Sequence, residues 1–353
     1  MSKKNLVVVA EFILLGIGLG LVESSFAQEF ELDEIVITAT KTEKGIWQVP
    51  ASVNIITEKE IKNANAKGIP DLLRNFAGIK VYDTSGVGTA GRINMRGFWG
   101  GMSTHSLVLI DGVPVNRGED KLEDWNLIPL DNIERIEVLK GASSALYGEN
   151  AFSGVINIIT KRGGRAPHFE IGSSLGSFGT QNYKVSAGGT RGNLNYFFNF
   201  SKKLTQGFRK YNNYDDIHAD GKLKFFVDDT SDVELSLGYH INNRGAYPWA
   251  LSEDQLAQDK TQARPGTEND RRTGKKIDFG IAYDKDLGRI SHIKTKIYLR
   301  DEDALCFYTS GSPVANPAKT EEQIEDENTY GATLQCNLTP KILGLTPIIT
   351  ARN

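Results

Sequence analysis

The sequence predicts a small mixed α+β domain followed by a large antiparallel β-sheet of the kind that closes into a membrane barrel. Between residues 48 and 162, short helix signals and short apolar strands follow one another, separated by polar and glycine-rich turns. After residue 162, apolar and polar residues alternate along one segment after another, which is typical of strands with one apolar face. The connections between these segments alternate between tight and long, as they do in membrane β-barrels.

The composition excludes several classes of protein. With 41 basic and 44 acidic side chains, the net charge of −3 is too balanced for a chain that coats nucleic acid. A mean hydropathy of −0.33 excludes a membrane protein built from many apolar helices. Two cysteines are too few for a disulfide scaffold or a four-thiolate metal site.

The sequence predicts no enzyme, no bound metal and no other cofactor. No motif places a Ser/His/Asp or Cys/His catalytic set. The histidines are spread along the chain without the spacing of metal ligands; they are His105, His168, His218, His240 and His292. A glycine pattern at 86–91 matches the dinucleotide fingerprint, but a strand follows where that motif needs a helix, so we interpret it as a loop.

Residues 1–27 have the features of a signal peptide. Two lysines precede an apolar stretch from residue 6 to residue 22, and small residues then lead to a cleavage position after Ala27. The alternative is an uncleaved membrane anchor, but the stretch is short for a span and contains Glu11, whose carboxylate is costly in lipid. We therefore expect the chain to be exported.

Residues 28–45 carry no compact pattern and are expected to be extended. The run from Asp33 to Thr40 is rich in β-branched residues, so it can pair edge-on with a strand of another protein. The alternative is that this run is merely the first strand of the following domain.

Residues 46–162 form the predicted mixed domain. A capping box at Thr57–Glu60 opens one helix, and a second helix is expected from Asp71 until Gly78. Strands are predicted at Lys80–Tyr82, Ile93–Arg96, Leu107–Ile110, Ile136–Leu139 and Val155–Thr160. Three polar connections, at 83–91, 99–105 and 116–126, lie between them.

Residues 163–353 form the predicted sheet, for which we count nine strands. The alternating segments are centred on Leu194–Phe200, Leu223–Val227, Val233–Ile241, Ile277–Tyr283, Ile293–Leu299 and Tyr330–Leu334. A soluble β-sandwich would show the same period, with its apolar phase facing a core. The alternation of loop lengths favours a barrel, as do aromatic residues near strand ends at Tyr196, Tyr239 and Tyr283. We expect Cys306 and Cys336 to be too far apart along neighbouring strands to form a disulfide.

Six further motifs occur in one order along the first half of the chain. They are Asp33–Ala39, Ile93–Phe98, Val108–Val115, Ile133–Gly141, Ala145–Gly148 and Gly154–Ile159. This series resembles the TonB-dependent outer-membrane receptors. The resemblance implies a plug domain lodged in a barrel of about 22 strands, of which this chain would supply an incomplete part. It also implies a place in the outer membrane of a Gram-negative bacterium, with the plug and the N-terminus reaching the periplasm.

The same resemblance implies a function and its partners. The expected function is active uptake of a metal chelate, first an iron–siderophore complex, driven by the inner-membrane protein TonB. The alternatives are a cobalamin or heme receptor of the same class, or a plugged adhesin that never transports. The expected partners are TonB, the chelate and outer-membrane lipid, and no nucleic acid.

Site residues follow from the resemblance as well. The TonB-coupling segment would be Asp33, Glu34, Ile35, Val36, Ile37, Thr38 and Ala39. Candidate ligand contacts at the plug apices are Trp99, His105, Arg117 and Trp125. Arg96 and Lys140 stand where relatives place basic plug residues that pair with the barrel wall. Glu134, Arg135 and Glu137 either lock the plug internally or are simply solvated.

Overall fold

The computed structural model describes most of the chain from residue 52 onward. The described residues are 35–36, 44–45, 52–76, 78–83, 91–97, 105–116, 125, 128–148, 150–245, 251–288, 291–310, 319–338 and 349–352. The predicted signal peptide at 1–27 and the glycine pattern at 86–90 lie outside them. No helix among the described residues is long and apolar enough to span a membrane.

The first part of the chain folds into short strands and short helices. In chain order these are β1 (Ile35–Val36), β2 (Lys44–Gly45), β3 (Ser52–Thr57), α1 (Glu58–Asn63), α2 (Ile69–Leu73), β4 (Ile79–Asp83), β5 (Gly91–Met95), β6 (Ser106–Ile110), β7 (Val113–Pro114), β8 (Ile133–Lys140), α3 (Ser144–Tyr147) and β9 (Gly154–Thr160). Each strand predicted for this domain is present, whereas β3, β7 and α3 were not predicted. The helix expected at Asp71 begins two residues earlier, because Gly68 caps it and Pro70 occupies its first turn.

One five-stranded sheet organises this domain, in the order β3-β8-β9-β6-β7. Its central strands β6 and β9 run parallel, while β8 is antiparallel to β9. Strand β9 is buried along its whole length, which explains its uninterrupted apolar run. The two-stranded sheet β4-β5 and the helices α1 and α2 pack on this sheet through one apolar core that includes Ile56, Leu72, Met95 and Ile136.

Two local signals in the sequence determine two of the turns. Thr57 accepts from the backbone N–H of Glu60, and the Glu60 carboxylate accepts from the backbone N–H of Thr57, so the predicted capping box is confirmed. Asp111 and Gly112 both have positive φ, 48° and 80°, between β6 and β7. This is the type I′ geometry that an Asp-Gly pair favours in a two-residue hairpin.

The second part of the chain is a single antiparallel meander. Its strands are β10 (His168–Gly176), β11 (Thr180–Arg191), β12 (Leu194–Thr205), β13 (Tyr214–Asp228), β14 (Ser231–Arg244), β15 (Arg271–Asp286), β16 (Ser291–Ser310), β17 (Lys319–Leu338) and β18 (Ile349–Arg352). Each strand pairs with the next, and β10 and β18 form the two edges of the sheet among the described residues. The nine predicted strands are therefore confirmed, and the sheet is not closed. We call this sheet the wall.

The two rims of the wall differ. Tight connections lie at 192–193, 229–230 and 287–290, and we call this end the turn rim. Longer ones at 206–213, 245–270 and 311–318 lie at the other end, the loop rim. Two connections depart from this pattern: 177–179 is tight but lies at the loop rim, and β17 and β18 are joined at the turn rim through the ten residues 339–348. A short helix, α4 (Glu253–Gln258), lies within the longest of these connections.

The apolar phase of the wall faces solvent, and the polar phase faces inward. Leu237, Ile281, Leu299 and Tyr330 are 41%, 39%, 52% and 80% exposed. A soluble sandwich would bury these side chains, so the barrel interpretation is confirmed over the sandwich. Tyr196 differs from the expectation that it joins an exposed aromatic belt, because it is 2% exposed and lies beside Phe198, with ring centroids 6.4 Å apart.

The prediction of a long loop at 308–327 is wrong. Strand β16 continues to Ser310 and β17 begins at Lys319, so only residues 311–318 connect them. The polar run of 319–327 misled the prediction, because a strand that projects beyond the apolar band has water on both faces and loses its period of two.

Candidate functional site

The predicted coupling segment is described only in part. Ile35 and Val36 form β1, which pairs antiparallel with Lys44 and Gly45 rather than with the sheet of the mixed domain. The remaining predicted coupling residues, Asp33, Glu34, Ile37, Thr38 and Ala39, lie outside the described residues.

The candidate ligand contacts separate into different environments. Trp99 and Arg117 lie outside the described residues. His105 is half-buried, and its ring lies edge-on to Phe152, with centroids 6.5 Å apart. Trp125 is 3% exposed and belongs to the apolar core. Its expected display at an apex is therefore corrected, because the core buries the indole.

One end of the mixed sheet presents aromatic and basic groups together. His105 precedes β6, and its carbonyl accepts from the backbone N–H of Ser153, which precedes the parallel strand β9. Phe152 and Leu146 beside it are 61% and 41% exposed. Since the opposite end of β6 meets the wall near the turn rim, as shown below, this end points toward the loop rim. We call it the plug face.

Arg96 and Lys140 border the plug face. Arg96 has positive φ, 56°, and its backbone N–H donates to the Gly78 carbonyl. The Arg96 Nη1 atom lies 3.1 Å from the position that a Cβ atom on Gly141 would occupy. The Lys140 Nζ atom lies 3.8 Å from the position of a Cβ atom on Gly78. Both cations are therefore accommodated by glycines. Among the described residues, no wall carboxylate pairs with Arg96, so the predicted contact of this residue with the wall stays a prediction.

Glu134, Arg135 and Glu137 form a local ion-pair group along β8. Arg135 donates from Nε to Glu137 at 3.0 Å and from Nη1 to Glu134 at 2.5 Å. Glu137 is fully buried, and a buried carboxylate without a partner would be expensive. Glu137 is therefore not solvated, whereas the role of the group as an internal lock of the plug stays a prediction.

A cluster of buried charges joins the mixed domain to the wall at the Asp-Gly turn. The Asp111 carboxylate accepts from the backbone N–H and the hydroxyl of Thr160 at 3.0 and 2.7 Å. Lys222 of β13 lies 2.8 Å from its Oδ2 atom, and Lys296 of β16 donates to the Asp111 carbonyl at 3.1 Å. We call Asp111, Thr160, Lys222 and Lys296 the Asp111 clamp.

The charges of the Asp111 clamp shift the acidity of its carboxyl group. Burial by itself would raise the pKa of Asp111. The ammonium groups of Lys222 and Lys296 and the Arg162 guanidinium outweigh burial and hold this pKa well below its ordinary range. Asp111 is therefore ionised at every physiological pH, and the clamp stays charged.

Two further contacts flank the clamp. Arg162, just after β9, pairs through its Nε atom with Glu234 of β14 at 2.6 Å. Arg300 of β16 donates to the carbonyl of Pro114 at 2.9 Å while it pairs with Asp278 at 2.6 Å. Lys296 lies near the start of β16, so these contacts hold the mixed domain against the turn-rim half of the wall.

The clamp was not predicted from the sequence. The alternation placed Lys222 and Lys296 in the polar phase, but nothing in the sequence shows that their partner is Asp111, which lies 185 residues from Lys296. The Asp-Gly pair signalled a tight turn, and an acidic turn between two buried strands was the one usable hint.

One acidic group lies on the outer side of the wall. Asp301, Asp303 and Asp326, on β16 and β17, hold carboxylate oxygens within 4.8 Å of one another, and two of them are exposed. Exposed carboxylates gather in this way on many surfaces, so the group carries no assignment.

The arrangement defines a class of protein. A small mixed domain is clamped by buried charges to the polar side of an antiparallel wall whose other side is apolar and exposed, which is the design of a plugged outer-membrane barrel. Residues 46–155 match the family "TonB-dependent Receptor Plug Domain". Residues 46–155 are therefore a TonB-dependent receptor plug domain, and an incomplete antiparallel barrel follows them.

Two curated relatives match part of the chain. The chain is 35% identical over 166 residues to the vitamin B12 transporter BtuB of Vibrio cholerae serotype O1, which covers 46% of this chain and 27% of that protein. It is 40% identical over 135 residues to BtuB of Vibrio vulnificus, covering 38% and 22%. The match therefore spans about a quarter of the curated relatives.

The fold is similar to those of siderophore receptors of low sequence identity. The unliganded ferric citrate transporter FecA superposes with a TM-score of 0.72 at 18% identity, over 83% of this chain and 45% of that one. The ferric yersiniabactin uptake receptor FyuA of Yersinia pestis superposes with a TM-score of 0.68 at 15% identity, over 82% and 45%.

Proposed function

We propose that this chain is part of an active importer that carries a metal chelate across the outer membrane with work supplied through TonB. The observation that best supports this proposal is the Asp111 clamp, which holds a folded plug against the polar side of the wall. A barrel blocked by such a plug passes no bulky solute unless the plug is moved. Since the outer membrane has no ATP, that work has to arrive mechanically from the periplasmic side.

The proposed division of the chain follows its predicted boundaries. Residues 1–27 are removed as a signal peptide, 28–45 carry the coupling segment, 46–162 form the plug and 163–353 form the first part of the barrel. In this arrangement the turn rim faces the periplasm and the loop rim faces the medium. The plug face then lies where a ligand arrives, and its cations and aromatic rings suit a bulky anionic chelate.

The coupling proposal concerns residues 33–39. Strand β1 pairs only with β2 in the described part of the chain, so its backbone is not built into the plug sheet. A short extended segment outside the sheet is what a partner protein can grip by strand addition.

Replacement of Ile35 by Pro in the full-length receptor tests the coupling proposal. Proline removes a backbone donor and fixes φ, so strand pairing with TonB should fail while the plug face is untouched. We expect ligand binding to persist and uptake to stop, measured with radiolabelled ligand on whole cells. Ile35→Val is the matched control, and full uptake by the Ile35→Pro receptor would contradict the assignment.

Two cargoes have support from different observations. An iron–siderophore complex fits the fold, since FecA and FyuA are ferric chelate receptors. Cobalamin fits the sequence, because 166 residues of the chain are 35% identical to a vitamin B12 transporter. Equilibrium binding of cyanocobalamin, ferric citrate and a panel of ferric siderophores to the purified full-length receptor separates the two. If the receptor binds neither cobalamin nor a ferric chelate, a plugged adhesin that does not transport becomes the better-supported function.

A further inference from the structure

Two histidines face each other on the inner side of the wall. His218 of β13 and His240 of β14 are direct cross-strand partners, and their ring centroids are 5.0 Å apart. They are 5% and 4% exposed. The sequence spreads these residues 22 positions apart, so the pair is visible only through the strand register.

A carboxylate completes the group. Asp220 follows His218 by two residues on β13, so both side chains lie on the same face of the strand. Its Oδ1 atom lies 2.9 Å from His240 Nε2. The residue opposite Asp220 is Gly238, which has no side chain to fill the space beside the carboxylate.

Two buried atoms of this group lack a hydrogen-bond partner among the described residues. They are His218 Nδ1 and Asp220 Oδ2. A buried polar atom without a partner costs about 1–3 kcal/mol, so such atoms in a native site indicate a missing ligand, a water or an ion. Two imidazole nitrogens and a carboxylate oxygen can together bind a cation as well as a water.

We propose that His218, His240 and Asp220 form a binding site for a divalent transition-metal ion of the Zn²⁺, Ni²⁺, Co²⁺ or Cu²⁺ type. Two imidazoles and one carboxylate are the donor set that these borderline ions prefer, whereas Mg²⁺ and Ca²⁺ take oxygen ligands. The cation would replace the proton shared by His240 and Asp220. Their separation of 2.9 Å is already close to the spacing of about 3 Å between adjacent ligands of one metal ion.

Binding requires one side-chain movement and leaves room for exchangeable ligands. The His218 ring stands at 76° to the His240 ring, and the donor atoms of the three residues do not all lie within 4.8 Å of one another, so the His218 ring has to turn for Nδ1 to join the other two donors. His218 lines a cavity of about 350 Å³ between the plug and the wall, which gives its ring space to turn. His240 and Asp220 line a second cavity of about 90 Å³, which leaves space for water or a chelate donor as a further ligand.

The site does not depend on the proposed transport function. It sits on the inner wall, away from the plug face and the coupling segment, and metal binding can be measured without uptake. If uptake is later disproved, the metal site is unaffected, and the reverse also holds.

The test uses the untagged full-length receptor in detergent. It is titrated with Co²⁺, and binding is followed by visible absorption. In a second titration, Zn²⁺ binding is measured in competition with a chromophoric indicator. We expect one tight cation per receptor and an intense low-coordinate cobalt band. His218→Gln and His240→Gln should each weaken binding at least 100-fold and remove that band. Asp220→Asn retains the volume and a hydrogen bond to His240, and it should weaken binding as well.

His292→Gln is the matched control. His292 forms a similar pair with Asp284, its Nε2 atom 2.5 Å from the carboxylate, but it is 38% exposed on its side chain. This variant should bind cobalt as the wild type does. Equal cobalt binding by the wild type and the His218→Gln/His240→Gln double variant would overturn the proposal. So would a loss of the tight site in His292→Gln. Heat-modifiable migration on gels confirms that each variant is folded.

Discussion

At the scale of single residues, Asp111 connects the plug to the wall. Its positive φ suits the hairpin, its carboxylate ties β6 to Thr160 of β9, and its charge meets Lys222 from the wall. A residue that serves the turn, the plug sheet and the interface together cannot be replaced without loss in more than one place.

Asp111→Asn removes the charge and retains the shape. Asparagine tolerates positive φ, so the hairpin survives, but Lys222 and Lys296 lose their buried counter-charge. Removing one partner of a buried ion pair costs about 3–5 kcal/mol, so we expect the plug to unfold at clearly lower urea concentration. Pulse proteolysis of the full-length receptor measures this. Asp228→Asn at the turn rim, where the carboxylate is 50% exposed, should change far less, and equal effects would contradict the clamp.

The clamp also predicts a pH dependence. A carboxyl group whose pKa is lowered by folding stabilises the folded state above its unfolded pKa, about 3.9, and that stability is lost as the pH falls below this value. We expect the stability of the plug to be level between about pH 7 and pH 5 and to fall below about pH 4. Urea midpoints at a series of pH values test this. The acid fall should be reduced in Asp111→Asn, since that variant has no carboxyl group to titrate there.

Gly154, at the start of β9, has no room for a side chain. A methyl group at this position would lie 2.3 Å from the Leu139 carbonyl oxygen and 2.6 Å from Met95 Cε. The backbone atom cannot move aside, so Gly154→Ala should destabilise the plug by about 3 kcal/mol in urea unfolding. Gly164→Ala, whose nearest atom would lie at an ordinary 3.7 Å, should be neutral, and a neutral Gly154→Ala would show that the strands can shift.

At the scale of elements, predictions from local sequence signals were correct, whereas the predicted pairing between strands was not. The capping box at Thr57 and the alternation along β14 follow from chemistry within a few residues, and both are confirmed. Which residues face each other across strands depends on the loop between them. The 311–318 connection is shorter than expected, and every partner along β16 and β17 shifts with it.

The cysteines illustrate this shift. Cys306 lies opposite Gln323, not opposite residue 328 as the longer loop predicted, and Cys336 lies opposite Ile293. Thirteen positions of β16 separate the two levels, roughly 43 Å at about 3.3 Å per residue, so a disulfide is impossible in this register. Both are free thiols in the structure. Non-reducing mass spectrometry of the full-length receptor should find no peptide that joins them, and such a peptide would refute the register.

At the scale of the whole molecule, the wall as described has two edges. Strand β10 carries Phe169, Ile171 and Leu175 at 52%, 73% and 79% exposure, and its outer backbone groups have no strand partner in the described sheet. An open edge in lipid leaves backbone groups unsatisfied. Expressed as 353 residues alone, the chain should therefore give no heat-modifiable band on gels. A stable, protease-resistant band would show that the edges close in another way.

The candidate site could be predicted only as far as its chemistry is local. Motif order led to the plug. The Asp111 clamp and the His218–His240 pair depend instead on register and on contacts between residues far apart in the chain. Trp125 was misplaced for the opposite reason, since an aromatic residue in a polar stretch resembles a binding residue until its burial is known.

Residues 161–167 are the covalent link between the plug and the wall, and Arg162 within them is bound to Glu234. At 3.3–3.6 Å per residue this tether reaches about 25 Å when extended. Docking of the plug is thus an intramolecular reaction, with an effective concentration on the order of millimolar that does not depend on how much receptor the membrane holds. A plug displaced from the clamp would therefore return to its own wall before the plug of another copy could occupy it.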